Sequence, residues 1–231
     1  MMAMKKILIV LLCIYSTNVL MAQDEVSNGS EKKFEIRLSN GATFPLGDFK
    51  STEGMGSGYA KNGYKGAIDV SYKLVNNFGV AVLVNYNTQG TDAAKKAEGY
   101  LHSNPSYSSV TVESGSYSVL SFLIAPEYSI DLSDKFHLQG QLGLGIANVQ
   151  GAEEHIRVSS SSPYEETRTG GSQNSFAYQG KVSLNYRVNS TFGLGLYSSF
   201  FATNSNFTVE GVDVEQKINT VSTGIQLIHN F

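Results

Sequence analysis

The chain has 231 residues, room for one domain of ordinary size, with 41% hydrophobic residues and only 16% charged ones. An average soluble domain is about 25% charged, and plentiful Gly (23), Tyr (13) and Phe (12) beside 4 Pro favour a β protein with tight turns over a helical one. A net charge of −3 gives no basic footprint for a nucleic-acid partner.

The N-terminus reads as a secretory signal peptide over residues 1–22. Lys5 and Lys6 form its basic region, Ile7 to Tyr15 its apolar region, and cleavage is expected after Ala22. The apolar run is too short to span a bilayer as a helix, which takes about 20 residues. Cys13 lies inside this leader, and Val10, Leu11 and Leu12 before it lack the small residues of a lipoprotein signal. The mature chain then has no cysteine, which excludes disulfides, thiolate metal sites and thiol nucleophiles. It keeps 15 basic against 20 acidic residues, a net charge of −5. Residues 23–32 are a short polar lead-in to one domain over 33–231.

Beyond the leader no helical periodicity is evident; the chain alternates with period two, the strand signal. Eight runs follow in order. Phe34 to Leu38 alternates apolar with polar, as does Tyr64 to Leu74. In Phe78 to Tyr86 the residues Phe78, Val80, Val82, Val84 and Tyr86 share a face. Tyr117 to Ile130 places Leu120, Phe122, Ile124, Tyr128 and Ile130 together, with Pro126 predicting a bulge or an early strand end because it cannot donate to a ladder. Phe136 to Ile146 alternates most cleanly. Phe176 to Val188, Phe192 to Phe201 and about Lys217 to Phe231 complete the set.

Connections between the runs alternate strictly between short and long. Val75-Asn-Asn77, Ser133-Asp134-Lys135 and Asn189-Ser190 are tight turns. Segments of about 43–61, 87–113, 149–173 and 203–215 are long, polar and rich in Gly, Ser, Thr and Asn, and stretches this long are uncommon in compact soluble domains. Short periplasmic turns and long extracellular loops are the pattern of an up-and-down outer-membrane barrel, with both termini periplasmic.

A soluble ligand-carrying barrel also alternates, so face polarity decides between the two. Its outward face would carry many Lys and Glu. Here the non-aromatic face reads Gly79, Ala81, Gln139, Gln141, Gly143, Gly193 and Gly195, small side chains that suit the narrow interior of eight strands. The opposite face is Phe, Leu, Ile, Val and Tyr, as lipid contact requires, and closure leaves no open edge in hydrocarbon. Tyr and Phe gather at strand ends, where interfacial girdles belong. The expected fold is therefore an all-β, eight-stranded antiparallel up-and-down transmembrane β-barrel in the outer membrane, with membrane lipid as its solvent.

Eight charges fall on the inward register: Glu35, Arg37, Lys65, Asp69, Lys73, Glu127, Lys181 and Arg187. They can be read as a gated pore or proton path, or as mutually paired charges that plug the barrel. Mixed signs and the cost of isolated buried charge favour the plug.

Further features resemble a known group. Gly41-Ala-Thr-Phe-Pro-Leu-Gly-Asp-Phe49 after the first strand, Pro126-Glu-Tyr and Gly143-Leu-Gly in the middle strands, and the terminal Phe231 are similar to the small outer-membrane β-barrel families of Bacteroidetes, related in style to the OmpA transmembrane domain and OmpW. The resemblance implies that Phe231 is an assembly signal read by the barrel-assembly machinery. It implies fold and location, and no single activity.

Catalytic chemistry finds little support. His102, His137, His155 and His229 form no spaced metal pair, and Glu153-Glu154-His155 near Ser159 to Ser162 is the nearest approach to a hydrolytic cluster. The Gly-rich stretch near Gly54 lacks the Lys-Ser/Thr ending of a phosphate loop, and no cofactor is expected. The preferred function is a non-enzymatic membrane protein whose loops contact ligands, cells or surface polysaccharide. A narrow channel for small or hydrophobic solutes is the alternative, and a lipid-modifying enzyme the third reading.

Overall fold

Strands that alternate oily and small side chains bury one face only when the sheet closes, and closure also pairs both edges. The computed structural model describes residues 33–53, 57–75, 77–209 and 212–231 and forms such a closed antiparallel barrel of eight strands. Strand β1 is Phe34–Leu46, β2 is Ala60–Val75 and β3 is Phe78–Thr91. A helix α1 (Ala93–Ser103) and a short strand β4 (Ser109–Ser114) precede β5 (Ser116–Asp131) and β6 (Phe136–Gln150). Two more short strands, β7 (Glu154–Ser159) and β8 (Tyr164–Arg168), lead to β9 (Ser172–Arg187), β10 (Phe192–Val209) and β11 (Val212–Asn230). The barrel order is β1-β11-β10-β9-β6-β5-β3-β2, while β4, β7 and β8 form a separate three-stranded sheet. The expected leader (1–22), the lead-in (23–32) and Gly54 to Gly56 lie outside the described residues.

Side-chain exposure follows the alternation. On β6, Leu142, Leu144 and Ile146 face outward at 58–69% exposure, while Gln141 and Ala147 between and beside them are buried. On β3, Val82 and Tyr86 point out while Ala81 and Leu83 point in. At the turn end each long-looped hairpin opens on Phe and closes on Tyr or His, and the two rings meet. The pairs are Phe34–Tyr72, Phe78–Tyr128, Phe136–Tyr186 and Phe192–His229, with centroids 5.9, 4.7, 5.1 and 4.8 Å apart. Such pairs each contribute about 0.5–1.5 kcal/mol beyond burial, and here they ring one interface of the barrel.

Tight turns are held by their own side chains. Asn189 Oδ1 accepts from the backbone N–H groups of Thr191 and Phe192, both at 2.8 Å, and Ser133 Oγ accepts from Phe136 N–H at 3.1 Å. These bonds fix the register in which the next strand leaves the turn.

Four expectations from sequence need correction. The strands are longer than their alternation indicated: β1 continues through Gly41 to Leu46, and the supposed loop 203–215 is largely a paired ladder from Thr203↔Ile218 to Val209↔Val212. Helical structure exists beyond the leader, as α1. Among the described residues three strands lie outside the barrel wall, inside segments expected to be loops. Pro126 causes neither a bulge nor an early end. Pairing from β5 to β6 skips Ala125 and Pro126 and resumes at Glu127↔Gln141 in unchanged register, while Val80↔Pro126 pairs normally on the other side. Proline's missing N–H costs one stretch of one ladder and leaves the register unchanged.

The closing seam needs two glycines. Gly41 of β1 lies directly opposite Gly224 of β11. A Cβ on Gly41 would stand 2.2 Å from the Thr223 carbonyl oxygen and 2.8 Å from Tyr197 Oη. One on Gly224 would stand 2.0 Å from the Asn40 carbonyl oxygen. Buried Tyr197, projecting inward from β10, occupies space that a side chain on Gly41 would need, and the β1 backbone itself blocks one on Gly224. Gly41→Ala is therefore expected to lower stability by about 1–3 kcal/mol through overpacking, measured by urea unfolding in lipid vesicles. A loss below ~0.5 kcal/mol would mean that the seam relaxes freely.

Candidate functional site: a plugged lumen beneath a folded cap

The lower half of the lumen, toward the short turns, is built from inward residues of six wall strands. Arg37 on β1 is fully buried; its Nη2 donates to Glu127 Oε2 on β5 at 2.7 Å, its Nε meets Glu35, and its Nη1 lies 3.9 Å from Asp69 Oδ2 on β2. Lys181 on β9 donates to Asp69 Oδ2 at 2.7 Å and to Ser39 Oγ at 3.2 Å. Glu127 also accepts from Ser71 and, at 3.1 Å, from Gln141 Nε2. Gln226 Nε2 donates to Asn185 Oδ1 at 2.7 Å, extending the network to β11. Carboxylates that accept several donors and cations that reach two acids are the arrangement in which buried charge is tolerated.

Glu35, Arg37, Lys65, Asp69, Glu127 and Lys181 thus point into the barrel, with Glu35 at its rim. Lys73 and Arg187 do not belong with them. Both share the inward register but sit beside the short turns with exposed side chains, and Arg187 donates to the Asp134 carbonyl at 3.2 Å. Parity of position sets direction; depth along the strand sets burial, and these two are too close to the end.

The upper half differs from the small, polar interior expected from sequence. Leu83, Leu123, Val119, Val149, Phe201, Phe207, Ile218 and Phe49 form one buried apolar cluster with Tyr117 and several alanines. Phe49 and Tyr117 meet edge to face with centroids 5.1 Å apart. The signal for it was present in Tyr117-Ser-Val-Leu-Ser-Phe-Leu123, where Tyr117, Val119 and Leu123 occupy the face opposite Leu120 and Phe122. Charge below and apolar packing above both fill the lumen.

Above the barrel, α1 packs on the β4–β7–β8 sheet. Val110, Val112, Ile156 and Val158 form a small buried core covered by Ala93, Ala97, Tyr100, Leu101 and Tyr107. Asp92 caps the helix, accepting from Lys95 N–H at 3.3 Å. Lys96 pairs with Glu154 on β7, and Arg168 Nη1 on β8 donates to Tyr100 Oη at 2.8 Å. Tyr59 joins cap to rim. Its carbonyl accepts from Asp92 N–H at 2.8 Å, Lys96 Nζ lies 5.3 Å from its ring centroid, and its φ of 50° is in the left-handed region. A bulky residue persists there only when its surroundings fix it. Burial, then the carboxylates of Glu154 and Glu53, push its hydroxyl pKa up, so the ring stays neutral beside Lys96.

The far face of this sheet is polar and exposed. Arg157 on β7 lies between Glu165 at 2.9 Å and Glu113 at 3.2 Å, which raise its pKa, with the Glu165 hydrogen bond the larger cause. His155 Nδ1 lies 2.9 Å from Thr167 Oγ1, and its Nε2 lies 3.7 Å from Glu153. The serines expected near His155 are not brought to it: Ser159 is at the opposite end of β7, four residues or about 13 Å away. Among the described residues no group of three or more His, Cys, Asp and Glu could hold a metal ion.

No protein-family model and no curated protein matches the chain in sequence. Solved structures match its fold. It is similar to the outer membrane protein OprG of Pseudomonas aeruginosa, at 10% identity over 87% of this chain and 98% of that one, with a TM-score of 0.50. Neisserial surface protein A is similar at 12% identity, over 86% and 97% of the two chains, with a TM-score of 0.49. Outer membrane protein W of E. coli is similar at 13% identity, over 88% and 100%, with a TM-score of 0.48. Identities this low carry the fold alone. The closed barrel with an apolar belt on every wall strand makes the protein an integral protein of the outer membrane.

Proposed function

We propose that this protein is a non-enzymatic display barrel, whose plugged wall anchors the α1 and β4–β7–β8 cap at the cell surface as a contact surface for ligands or other cells. The observation that carries the reading is the cap's own buried core, Val110, Val112, Ile156 and Val158, in segments that would otherwise be plain loops. A folded cap held to the rim by Tyr59 and Asp92 presents a fixed surface, which recognition needs and a mere linker does not. The channel alternative is disfavoured by a lumen crossed by buried charged side chains below and apolar ones above. This reading includes cleavage after Ala22 and a place among the small-barrel families of Bacteroidetes, supported by the motifs ending on Phe231.

Orientation is tested by labelling. An epitope at Ser161, between β7 and β8, is expected to bind antibody on intact cells, and one at Asp134 only after the outer membrane is permeabilised. Surface labelling at Asp134 would invert the barrel and end the proposal. Planar-bilayer recordings should show no discrete channel; a steady ion-selective conductance would favour the pore.

Assembly by the barrel-assembly machinery is part of the same reading. Phe231 packs on His229 with centroids 4.2 Å apart and donates its N–H to the Phe34 carbonyl at 2.9 Å, across the seam that closes the barrel. One side chain contributes at most about 1.5–3 kcal/mol even when fully buried, and Phe231 is 38% exposed. Deleting it should therefore lower outer-membrane yield in cells strongly while refolding into vesicles stays near normal. Normal yield in both would make Phe231 an ordinary strand end.

A further inference from the structure

Lys65 stands apart from the other buried bases. Its side chain crosses the lumen from β2, is 1% exposed, and donates to Gln179 Oε1 at 2.8 Å and Ser199 Oγ at 3.0 Å. Both acceptors are neutral. No carboxylate lies within 4.0 Å of it among the described residues, whereas Arg37 and Lys181 have taken Glu127 and Asp69. The deep interior thus holds three bases against two acids, with Glu35 remaining at the rim beside Arg37. Lys181, already paired with Asp69, lies at the same level: its Nζ and that of Lys65 lie 5.0 and 6.0 Å from the same Tyr197 ring.

The amides beside Lys65 are buried and incompletely partnered. Gln179 Oε1 is occupied by Lys65, so its amide Nε2 is left buried without a partner. Asn87, paired with Lys65 across β2 and β3, has a buried amide in which neither Nδ2 nor Oδ1 is partnered. An isolated ammonium and two free amide donors in a dry interior are each costly. One small anion among them would offset all three costs. A buried polar strip on β1, β3 and β11 adjoins it: Gln89 Nε2 donates to Thr43 Oγ1 at 3.3 Å, Ser222 Oγ to the same oxygen at 3.0 Å, and Thr220 is buried on the same face of β11.

We propose that Lys65, with the amides of Gln179 and Asn87, forms an internal site for a small monovalent inorganic anion of chloride size. The site is separate from the cap and does not depend on what the cap binds. Its test is the unfolding temperature of the purified barrel in detergent, with chloride or bromide exchanged for gluconate at constant ionic strength. A ligand that binds only the folded state raises stability in a saturable way. The wild type should show a saturable rise, Lys135→Met at an exposed turn should match it, and Lys65→Met should show none. If Lys65→Met does not fold, lysine side-chain nitrogen resonances of the wild type replace it, and the Lys65 signal should shift with chloride. A flat wild-type response, an equal response in Lys65→Met, or a Lys65 signal indifferent to chloride but sensitive to pH would overturn the site, the last by showing a neutral amine.

Discussion

Arg37→Met is expected to cost about 3–5 kcal/mol of folding stability, the range for removing one partner of a buried ion pair. Arg37 is fully buried and touches three carboxylates on three strands: Glu35 beside it, Glu127 at 2.7 Å and Asp69 at 3.9 Å. Asp69 would keep Lys181, but Glu127 would be left with only the neutral donors Ser71 and Gln141. The penalty is thus mainly the unneutralised Glu127 charge, which distinguishes this account from one of lost packing. Removing that charge as well, in Arg37→Met with Glu127→Gln, should restore most of the loss. Urea unfolding in vesicles measures all three variants and the wild type as a cycle. Additive losses would show that Arg37 acts through its stem and not through Glu127. The same network explains why the plug has to be built from several strands. Glu127 accepts from donors on β1, β2 and β6, and Asp69 faces cations on β1 and β9, so these charges assemble only when the ring closes.

Much of that ring was legible in the sequence, because one requirement is written on every strand. Lipid demands Phe, Leu, Ile and Val on alternate positions, and the narrow interior demands small or polar ones between. Turns such as Ser133-Asp134-Lys135 mark the strand ends by residue type alone. The cap was not legible for the opposite reason. Ala93, Ala97, Tyr100 and Leu101 do have helical spacing, but of their apolar partners Val110 and Val112 sit on a short strand and Ile156 and Val158 come from β7, beyond two wall strands. Neither piece buries a face without the other, so neither carries a long periodic signal. The lumen was half legible. Charge sign and register located Arg37 and Asp69, but Lys73 shows that register alone does not measure depth. Lys65 and its neutral partners on β9 and β10 required knowing which strands face each other across the barrel.

Depth also governs the second large effect, on the oily belt. Leu142 is 69% exposed on β6, six residues beyond the girdle residue Phe136. With a rise of about 3.4 Å per residue and a strand tilt near 40°, that is ~15 Å along the barrel axis, near the middle of an apolar band about 25 Å tall. Arg at this depth should cost about 2–4 kcal/mol, since its stem cannot carry the charge to either interface. Asn148 offers the matched control. It lies on the same strand and the same face, six residues further on, where its amide bonds Asn174 Oδ1 at 2.9 Å and Ser172 Oγ at 3.0 Å in an exposed polar ring. Asn148→Arg should therefore cost no more than about 0–1 kcal/mol. Both variants place Arg on the same strand and the same face, so a larger cost at Leu142, despite the hydrogen bonds lost at Asn148, reports depth in the bilayer. Folding of both variants into vesicles, with free energies from urea titration, gives that difference directly. Equal costs at Leu142 and Asn148 would mean that hydrocarbon does not surround Leu142, and the outer-membrane placement of the whole belt would fall with it.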